Sequence, residues 1–491
     1  MNDMANLWLA FDIGTTGAKA ALIDGAGQVV RSATRQYPTH TATGGVMEQD
    51  AGDWWRAVRE TCRALGALDE VDAIALTGQM QDAILVNATG DPVRPVILYS
   101  DTRAHAEAAR LPDQLGAARI RELTGNDQDA GSLLAKLAWL QAHEPAALEA
   151  SRWLLLGAAD FVALKMTGAA TTDTTTASTT GLMNLATRTA LDDSVFAALE
   201  LRDCARLVPP ITPGGHRVGA LTSAAAETLG LPAGIPVYHG PGDAGATTIG
   251  AGSGEPGAVY AYLGTSGWIA FTATERAQPG QGVITLAHPA PGRTIQVAPL
   301  LTAGGNLDWV RDLFGGGDYD AVIARALDRD PSRLLYLPYL SGERAPFSDP
   351  HARGAFVGLG ASATRDDLCR AVLEGVVYAY RHALDALIPG ATTTLTLTGG
   401  GTRSRRWCQL FADVTHLPVA IQADPENVGV RGAILCAQVA HGARASYAAS
   451  EFFPIEATLP PDPAHAAHFD RQYRVFREAY PALKPIFAQL A

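Results

Sequence analysis

Basic charge is scarce in this 491-residue chain. Lys and Arg total 38 against 50 Asp and Glu, a net charge of −12, so the broad basic footprint of a nucleic-acid-binding protein is missing. A local anion site is still compatible with that balance. Lysine occurs at only four positions, Lys19, Lys136, Lys165 and Lys484. Cysteine is sparse as well. Cys62, Cys204, Cys369, Cys408 and Cys436 lie far apart and form no C-x-x-C pair, which argues against a zinc site or a disulfide framework and for reduced, buried thiols. No apolar run approaches the ~20 residues of a membrane-spanning helix, and no basic, apolar and small-residue leader opens the sequence. A cytoplasmic protein is the expectation. Charged residues make up only 18% and hydrophobic ones 47%, too little charge for a disordered chain and enough apolar material for sizeable cores. The length suits two large domains.

What the chain does have is glycine and proline, 50 and 29 residues, set between short β-rich runs and longer helical patterns, which predicts an α/β protein. Leu7 to Phe11 and Ala18 to Ile23 read as strands around the turn Gly14-Thr15-Thr16-Gly17. Val259 to Leu263 and Trp268 to Thr272 repeat that pattern around Gly264-Thr265-Ser266-Gly267, 250 positions later. The recurrence suggests two related halves. Residues 240–256, rich in Gly and Pro, are expected to mark the boundary as a linker, an active-site loop or both, dividing the chain into 1–245 and 246–491. Val71 to Thr77 reads as a buried strand entering a loop at Gly78 to Asp82, with a further strand from Ala83 to Val86. An alternating strand at Leu395 and Leu397 ends in Gly399-Gly400-Gly401, and Ser404 is placed to cap a helix over 405–415. Apolar residues from Leu368 to Leu387 keep helical spacing behind a Thr364/Asp367 capping box, with Pro389-Gly390 as the stop. Trp54 and Trp55 read as core or interface.

Six places are expected to carry chemistry. Asp12 ends a strand, and the turn after it, with Thr15 and Thr16, offers backbone N–H groups and hydroxyls to an anion. Asp12 itself suits a hydrated Mg²⁺, which takes one or two carboxylates, water and phosphate oxygens. Gly264 and Thr265 offer a second set of donors, and Gly400 and Gly401 leave room for a flat ring or a phosphate. Asp243, inside Gly-Pro-Gly-Asp-Ala-Gly, is placed to take a proton from an attacking hydroxyl. The segments Gln79-Met80-Gln81-Asp82 and Tyr99-Ser100-Asp101-Thr102-Arg103 supply the hydrogen-bonding side chains a polyhydroxylated ligand needs. Each turn alone also reads as an ordinary hairpin or surface turn. Neither a P-loop nor an early G-x-G-x-x-G is present, so the joint pattern points to a nucleotide held by glycine turns.

These segments, with Leu337-Pro-Tyr-Leu-Ser-Gly-Glu-Arg-Ala-Pro346, Asp349-Pro-His-Ala-Arg-Gly354 and Gly399-Gly-Gly-Thr-Arg-Ser404 running into Trp407-Cys-Gln-Leu-Phe-Ala-Asp413, resemble the FGGY family of carbohydrate kinases over nearly the whole chain, nearest to its xylulokinase branch. The resemblance implies a two-lobed actin-like ATPase fold of ribonuclease H type with an interdomain cleft, the N-terminal half binding sugar and the first phosphate motif and the C-terminal half the nucleotide. It implies transfer of the γ-phosphoryl group of ATP, with Mg²⁺, to a hydroxyl of a pentulose, D-xylulose first. Asp243 matches the family's catalytic base, and Asp12 the metal-associated aspartate; both are expected at the metal. Thr15 and Thr16 match the first phosphate loop, Gly264 and Thr265 the second, Gly400, Gly401 and Ser404 the adenosine motif, and Gly304 a further nucleotide contact. Met80, Gln81, Asp82, Asp101 and Asp243 are the expected sugar contacts. Met80-Gln81-Asp82 departs from the branch's Met-His-Gly, so another ketose, a polyol or a sugar acid is the alternative acceptor. An actin-like ATPase switch and a non-catalytic sugar sensor are the alternatives of another class. The expected partners are a small-molecule sugar and ATP, without nucleic acid or membrane; a homodimer is left open.

Overall fold

A nearly all-apolar run such as LWLAFDI is stable only where both of its faces are covered. It is so covered in the computed structural model, which describes residues 7–276, 282–388 and 394–490. From the strand Leu7–Ile13, Leu9, Phe11 and Ile13 enter one core with Trp54, Val58 and Phe161, while Trp8 and Ala10 enter another with Ala246, Ile249, Ile434 and Phe452. Leu7–Ile13 pairs antiparallel with Gly17–Asp24 and parallel with Ala73–Gly78, which pairs parallel with Pro236–His239, itself antiparallel to His216–Ala220.

The chain forms two units. The first takes Met1–Gly250 and recruits Thr285–Ile295 and Asn427–Phe453; the second takes Ala251–Ile284, Gln296–Glu426 and Pro454–Ala491. The second unit repeats the first one's sheet. Gly267–Ala273, Val259–Leu263, Leu395–Thr398, Val419–Gln422 and Ile455–Leu459 lie side by side in that order. Their pairings are antiparallel, parallel, parallel and antiparallel, the same series as in the first unit. The kinship expected from two glycine turns thus extends to whole sheets.

Helix signals behave as their chemistry dictates. Thr364 and Asp367 form the reciprocal capping box of Arg365–Leu387; the Pro389-Gly390 stop lies outside the described residues. Ser404 accepts from the Trp407 N–H at the head of Arg405–Thr415. Trp54 is fully buried, and all five cysteines are free and buried. Among the described residues no helix is long and apolar enough to cross a membrane.

Two local expectations are corrected. The segment expected as a glycine-rich linker or loop folds into the helix Asp243–Thr248, followed by a short turn of π-helix at Ile249–Ser253. Its glycines serve close packing against the helix Val428–Ala440: a Cβ on Gly250 would stand 2.0 Å from the Val428 carbonyl oxygen, and one on Gly432 1.9 Å from that of Ala246. The expected loop through Asp82 shortens to Gln79 alone, because one strand runs to Gly78 and the next already starts at Met80 and runs to Val86. A register irregularity against Trp153–Gly157 falls between Met80 and Ile84, where Gln81 takes a φ of 66°. This is how a bulge re-aims a side chain while the strand continues.

Candidate functional site

Within the first unit, the three parallel strands end side by side. Asp12 sits directly opposite Thr77, and Leu76 opposite His239. The turn Gly240-Pro241-Gly242 leaves the third strand and delivers Asp243 to the start of its helix. Thr77 fastens this turn by donating its hydroxyl to the Pro241 carbonyl at 2.7 Å. Carboxyl ends of adjacent parallel strands are where α/β sheets bind ligands; here they gather Asp12, Asp243 and the 78–82 segment.

Asp12 and Asp243 are both half-buried. Burial raises the Asp12 carboxyl above its ordinary range, with Lys19 opposing. Burial also raises Asp243, to about 7; the charges of Asp12 and Asp173 add to the rise, and the Ala244 N–H, donating at 2.7 Å, opposes it. The charge of Asp12 acting on Asp243 in this way marks a place where negative charge gathers. Asp12 Oδ1 is moreover withdrawn from solvent without a hydrogen-bond partner. An orphan hard oxygen beside a second carboxylate fits Mg²⁺. Among the described residues no group of three or more His, Cys, Asp or Glu side chains is arranged to hold a metal. From the recruited segment, Gly429 keeps this corner open: a Cβ there would stand 3.2 Å from Asp12 Oδ2.

The turn after Asp12 is braced from behind. Gly14 N–H donates to the Gly17 carbonyl, Gln49 donates to the Thr15 carbonyl at 2.7 Å, and Tyr37 donates its hydroxyl to the Gly14 carbonyl. Thr16 is exposed and Thr15 half so, with the Thr15 hydroxyl 3.4 Å from that of Tyr99.

Met80 reaches the Asp243 turn: a Cβ on Gly242 would lie 2.1 Å from Met80 Sδ and 2.6 Å from Thr176 Oγ1. Gln81 extends toward Gly131: its Nε2 would stand 3.5 Å, and Asp129 Oδ1 3.2 Å, from a Cβ on Gly131. Asp82 is fully buried; one oxygen accepts from the Tyr99 N–H and the other has no partner. Burial holds its carboxyl well above the usual range, opposed by Lys136. Lys136, itself fully buried and pulled down to about 8 by that burial, donates to the Leu98 carbonyl at 2.6 Å. Asp101 is enclosed and committed: it accepts from the Arg103 guanidinium and from the N–H groups of Met47 and Arg103.

In the second unit, the turn Gly264-Thr265-Ser266-Gly267 is buttressed by Gly304, whose N–H donates to the Gly264 carbonyl at 2.7 Å, and by Ala303 and Gly305, both donating to the Thr265 carbonyl at 2.9 Å. Thr265 and Ser266 are exposed. Gly264 must be glycine, since a Cβ would lie 2.5 Å from the Tyr262 ring, which stacks on Trp268 at 4.1 Å. Gly400 is exposed with open space where a Cβ would be, whereas Gly401 packs on Leu263. The signature around Glu343 is structural: its carboxylate accepts from the Leu301 and Arg344 N–H groups.

Sequence reasoning did not single out a buried ionic group behind Asp243. His239 lies between Asp160, at 2.7 Å, and Asp173, at 3.7 Å, and none of the three side chains is exposed. The one signal was Asp160 itself, a charge in the mostly apolar first turns of the helix Ala158–Thr167.

A doubled sheet, a carboxylate pair at the strand ends of one copy and a glycine-walled turn in the other define the class. Residues 7–250 match the N-terminal domain of the FGGY family of carbohydrate kinases and residues 259–441 its C-terminal domain. The chain belongs to this family; it is an ATP-dependent carbohydrate kinase with the actin-like ATPase fold. Its particular relatives are consistent with one another. It is 33% identical over 492 residues to the xylulose kinase of Klebsiella pneumoniae, covering 98% of this chain and 100% of that one. Against the xylulose kinase of Escherichia coli K12 the identity is 32% over the same coverage. The crystal structure of xylulose kinase from Rhodospirillum rubrum superposes with a TM-score of 0.88 at 31% identity, covering 98% of this chain and 99% of that one.

Proposed function

We propose that this kinase transfers the γ-phosphoryl group of ATP to a hydroxyl of a pentulose, D-xylulose first. The observation that carries the chemistry is Asp243: a carboxyl held near neutrality, on a turn that Met80 touches and Thr77 fastens. In this reading the acceptor lies against Met80, Gln81 and the Asp243 turn, and Asp243 takes the hydroxyl proton as the oxygen attacks phosphorus. A base with a pKa near the working pH is both available and strong enough for that transfer. Asp82 shapes the Gln81 bulge from beneath through Tyr99, and Asp101 fixes the neighbouring segment through Arg103.

Thr15 and Thr16, and in the second unit Gly264, Thr265, Gly304, Gly400, Gly401 and Ser404, are assigned to ATP. In the exposed turns the hydroxyls of Thr15, Thr16 and Thr265 and the N–H groups not spent inside the turns are left for phosphate oxygens, while Gly264 and Gly304, whose own N–H groups are spent, shape the second loop. Asp12, with Asp243, would hold Mg²⁺; when bound, the ion neutralises negative charge on the phosphates. The labour is proposed to divide near residue 245, with sugar and first phosphate motif before it and nucleotide motifs after it. Free buried cysteines and the use of ATP favour a cytoplasmic protein.

The pentulose reading is supported by the three relatives named above, each of them a xylulose kinase. Gln81 at the bulge is where this chain differs, and it leaves other ketoses, polyols and sugar acids as the second reading. A coupled ADP-release assay over pentuloses, hexuloses, polyols and aldonates tests both. D-xylulose is expected to give the highest kcat/KM. A different preferred acceptor would transfer the assignment to that sugar, and equal ADP release without any sugar would overturn the kinase reading in favour of an ATPase switch.

A further inference from the structure

The base-bearing turn is clamped on three sides. The Gly240 N–H donates to the Leu76 carbonyl at 2.7 Å, the Pro241 carbonyl accepts from Thr77, and the Gly240 carbonyl lies 2.8 Å from His239 Nδ1. The third clamp is unlike the others because it depends on a side chain that can lose its proton. His239 closes the strand Pro236–His239 with no exposed surface, and its other ring nitrogen lies 2.7 Å from Asp160 Oδ1. Both ring nitrogens therefore face acceptors, one a carbonyl and one a carboxylate, and only a ring protonated at both satisfies the two.

The surrounding groups are committed to keeping it so. Asp160 uses its second oxygen to accept from the Leu156 N–H. Asp173, on the other side of the ring, caps the helix Thr174–Thr179 by accepting from the N–H groups of Thr175 and Thr176 and from the Thr176 hydroxyl. Burial alone would lower the imidazole pKa, but the hydrogen bond and charge of Asp160, the charge of Asp173 and the Gly240 carbonyl raise it to about 9. Thr176 completes the circuit, standing against Gly242 one residue before the base.

The fold does not demand this arrangement. In the second unit's sheet the strand corresponding to Pro236–His239 is Val419–Gln422, and the residue opposite Leu397, as His239 is opposite Leu76, is the buried Ile421. A hydrophobic residue fills that place on the same scaffold, without two carboxylates to compensate. A buried charge is costly unless fully paired, so its presence at this sheet position beneath the Asp243 turn, and its replacement by Ile421 at the matching position, call for a reason tied to that turn.

We propose that His239 is a positioning residue for the phosphoryl transfer: held by Asp160, it anchors the Gly240 carbonyl and so fixes the turn that presents Asp243. This rests on Asp243 being the base, and the test separates the two claims. Asparagine and glutamine divide the imidazole's work. The Asn amide falls near Nδ1 and can still donate to Gly240, whereas the Gln amide falls near Nε2 and can donate only to Asp160. His239→Asn is expected to keep kcat within about tenfold of the parent. His239→Gln is expected to lose about 10²-fold in kcat, the scale of a misplaced catalytic group, with the sugar KM and ATP affinity little changed. Equal losses in the two variants, or none, would overturn the proposal. Histidine-selective ¹⁵N spectra of the unmutated protein at pH 8 provide a measurement that no folding defect can confuse. Both His239 ring nitrogens should carry protons, and a bare nitrogen would overturn the proposal. Asp243→Ala in the same kinetic assay keeps the readings apart. Normal turnover there would remove the base, while an inactive Asp243→Ala beside indistinguishable Asn and Gln variants would remove only the role of His239.

Discussion

The two units use one sheet for two kinds of work, and their strand ends can be compared position by position. Opposite Thr77 the first unit has Asp12; opposite Thr398 the second has Tyr262. Opposite Leu76 the first has His239, and opposite Leu397 the second has Ile421. Where the first unit collects carboxylates and a cation, the second has an aromatic ring, an aliphatic side chain and open glycine. The hydrogen-bonded turn after the first strand is kept in both, with Gly14 donating to Gly17 and Gly264 to Ser266. The common part is the one proposed to meet phosphate through backbone. In the same proposal the divergent part separates charge chemistry, which needs buried titratable groups, from recognition of a neutral flat ring, which needs room and apolar walls.

If that division holds, the largest effect comes from the carboxylate without a counterpart. Asp243→Ala should lower kcat by ~10²–10⁴-fold, the contribution of a positioned general base, while calorimetry shows ATP affinity retained. A second pair of substitutions tests matched positions directly. Asp12→Asn should cost about 10²-fold in kcat, as expected for an electrostatic group at the transferring phosphoryl, and should raise the Mg²⁺ concentration giving half-maximal rate. Tyr262→Phe, at the corresponding place, should change kcat less than about twofold, because the backbone carbonyl of Tyr262, not its hydroxyl, accepts the Tyr380 bond. Comparable losses at the two positions would break the comparison.

A smaller effect follows from pH. With Asp243 raised to about 7, and required as a carboxylate, kcat/KM should rise tenfold per pH unit below that value and level above it. A flat profile between pH 5.5 and 8 would show that the base ionises well below 7.

Much of this was legible in the sequence, for identifiable reasons. Strand–turn–strand around Gly14 and around Gly264 follows from apolar runs broken by residues that favour turns. The Thr364/Asp367 box and the Ser404 cap are local hydrogen-bond chemistry, readable within four residues. Asp12 and Asp243 stand out only together with the other glycine turns, because a single aspartate in a glycine turn is an ordinary turn residue. What was not legible is whatever depends on distant partners. The glycines of 240–256 read as a loop, yet Gly250 is small because Val428, far along the chain, packs against it. The bulge at Gln81 is set by pairing with Trp153–Gly157. The His239 group joins residues 79 positions apart, and no periodicity connects them.

The smallest effect sharpens the comparison because it concerns stability instead of rate. A carboxyl whose folded pKa exceeds its unfolded value binds its proton more tightly when folded. Its contribution to stability is therefore fully present below the unfolded pKa, 3.8 for Asp243, and is lost as pH rises through the folded value of about 7. Asn cannot ionise and escapes that loss. Asp243→Asn should thus melt with the parent near pH 4, gain on it steadily through pH 5–7, and at pH 8 exceed it by several degrees, given about 2–4 °C per kcal/mol for a unit of this size. The measurement belongs in EDTA, since Mg²⁺ would relieve the same repulsion. A pH-independent gain for Asp243→Asn would mean that Asp243 is not strained by its charge, and the functional asymmetry between the two sheets would have to be sought elsewhere.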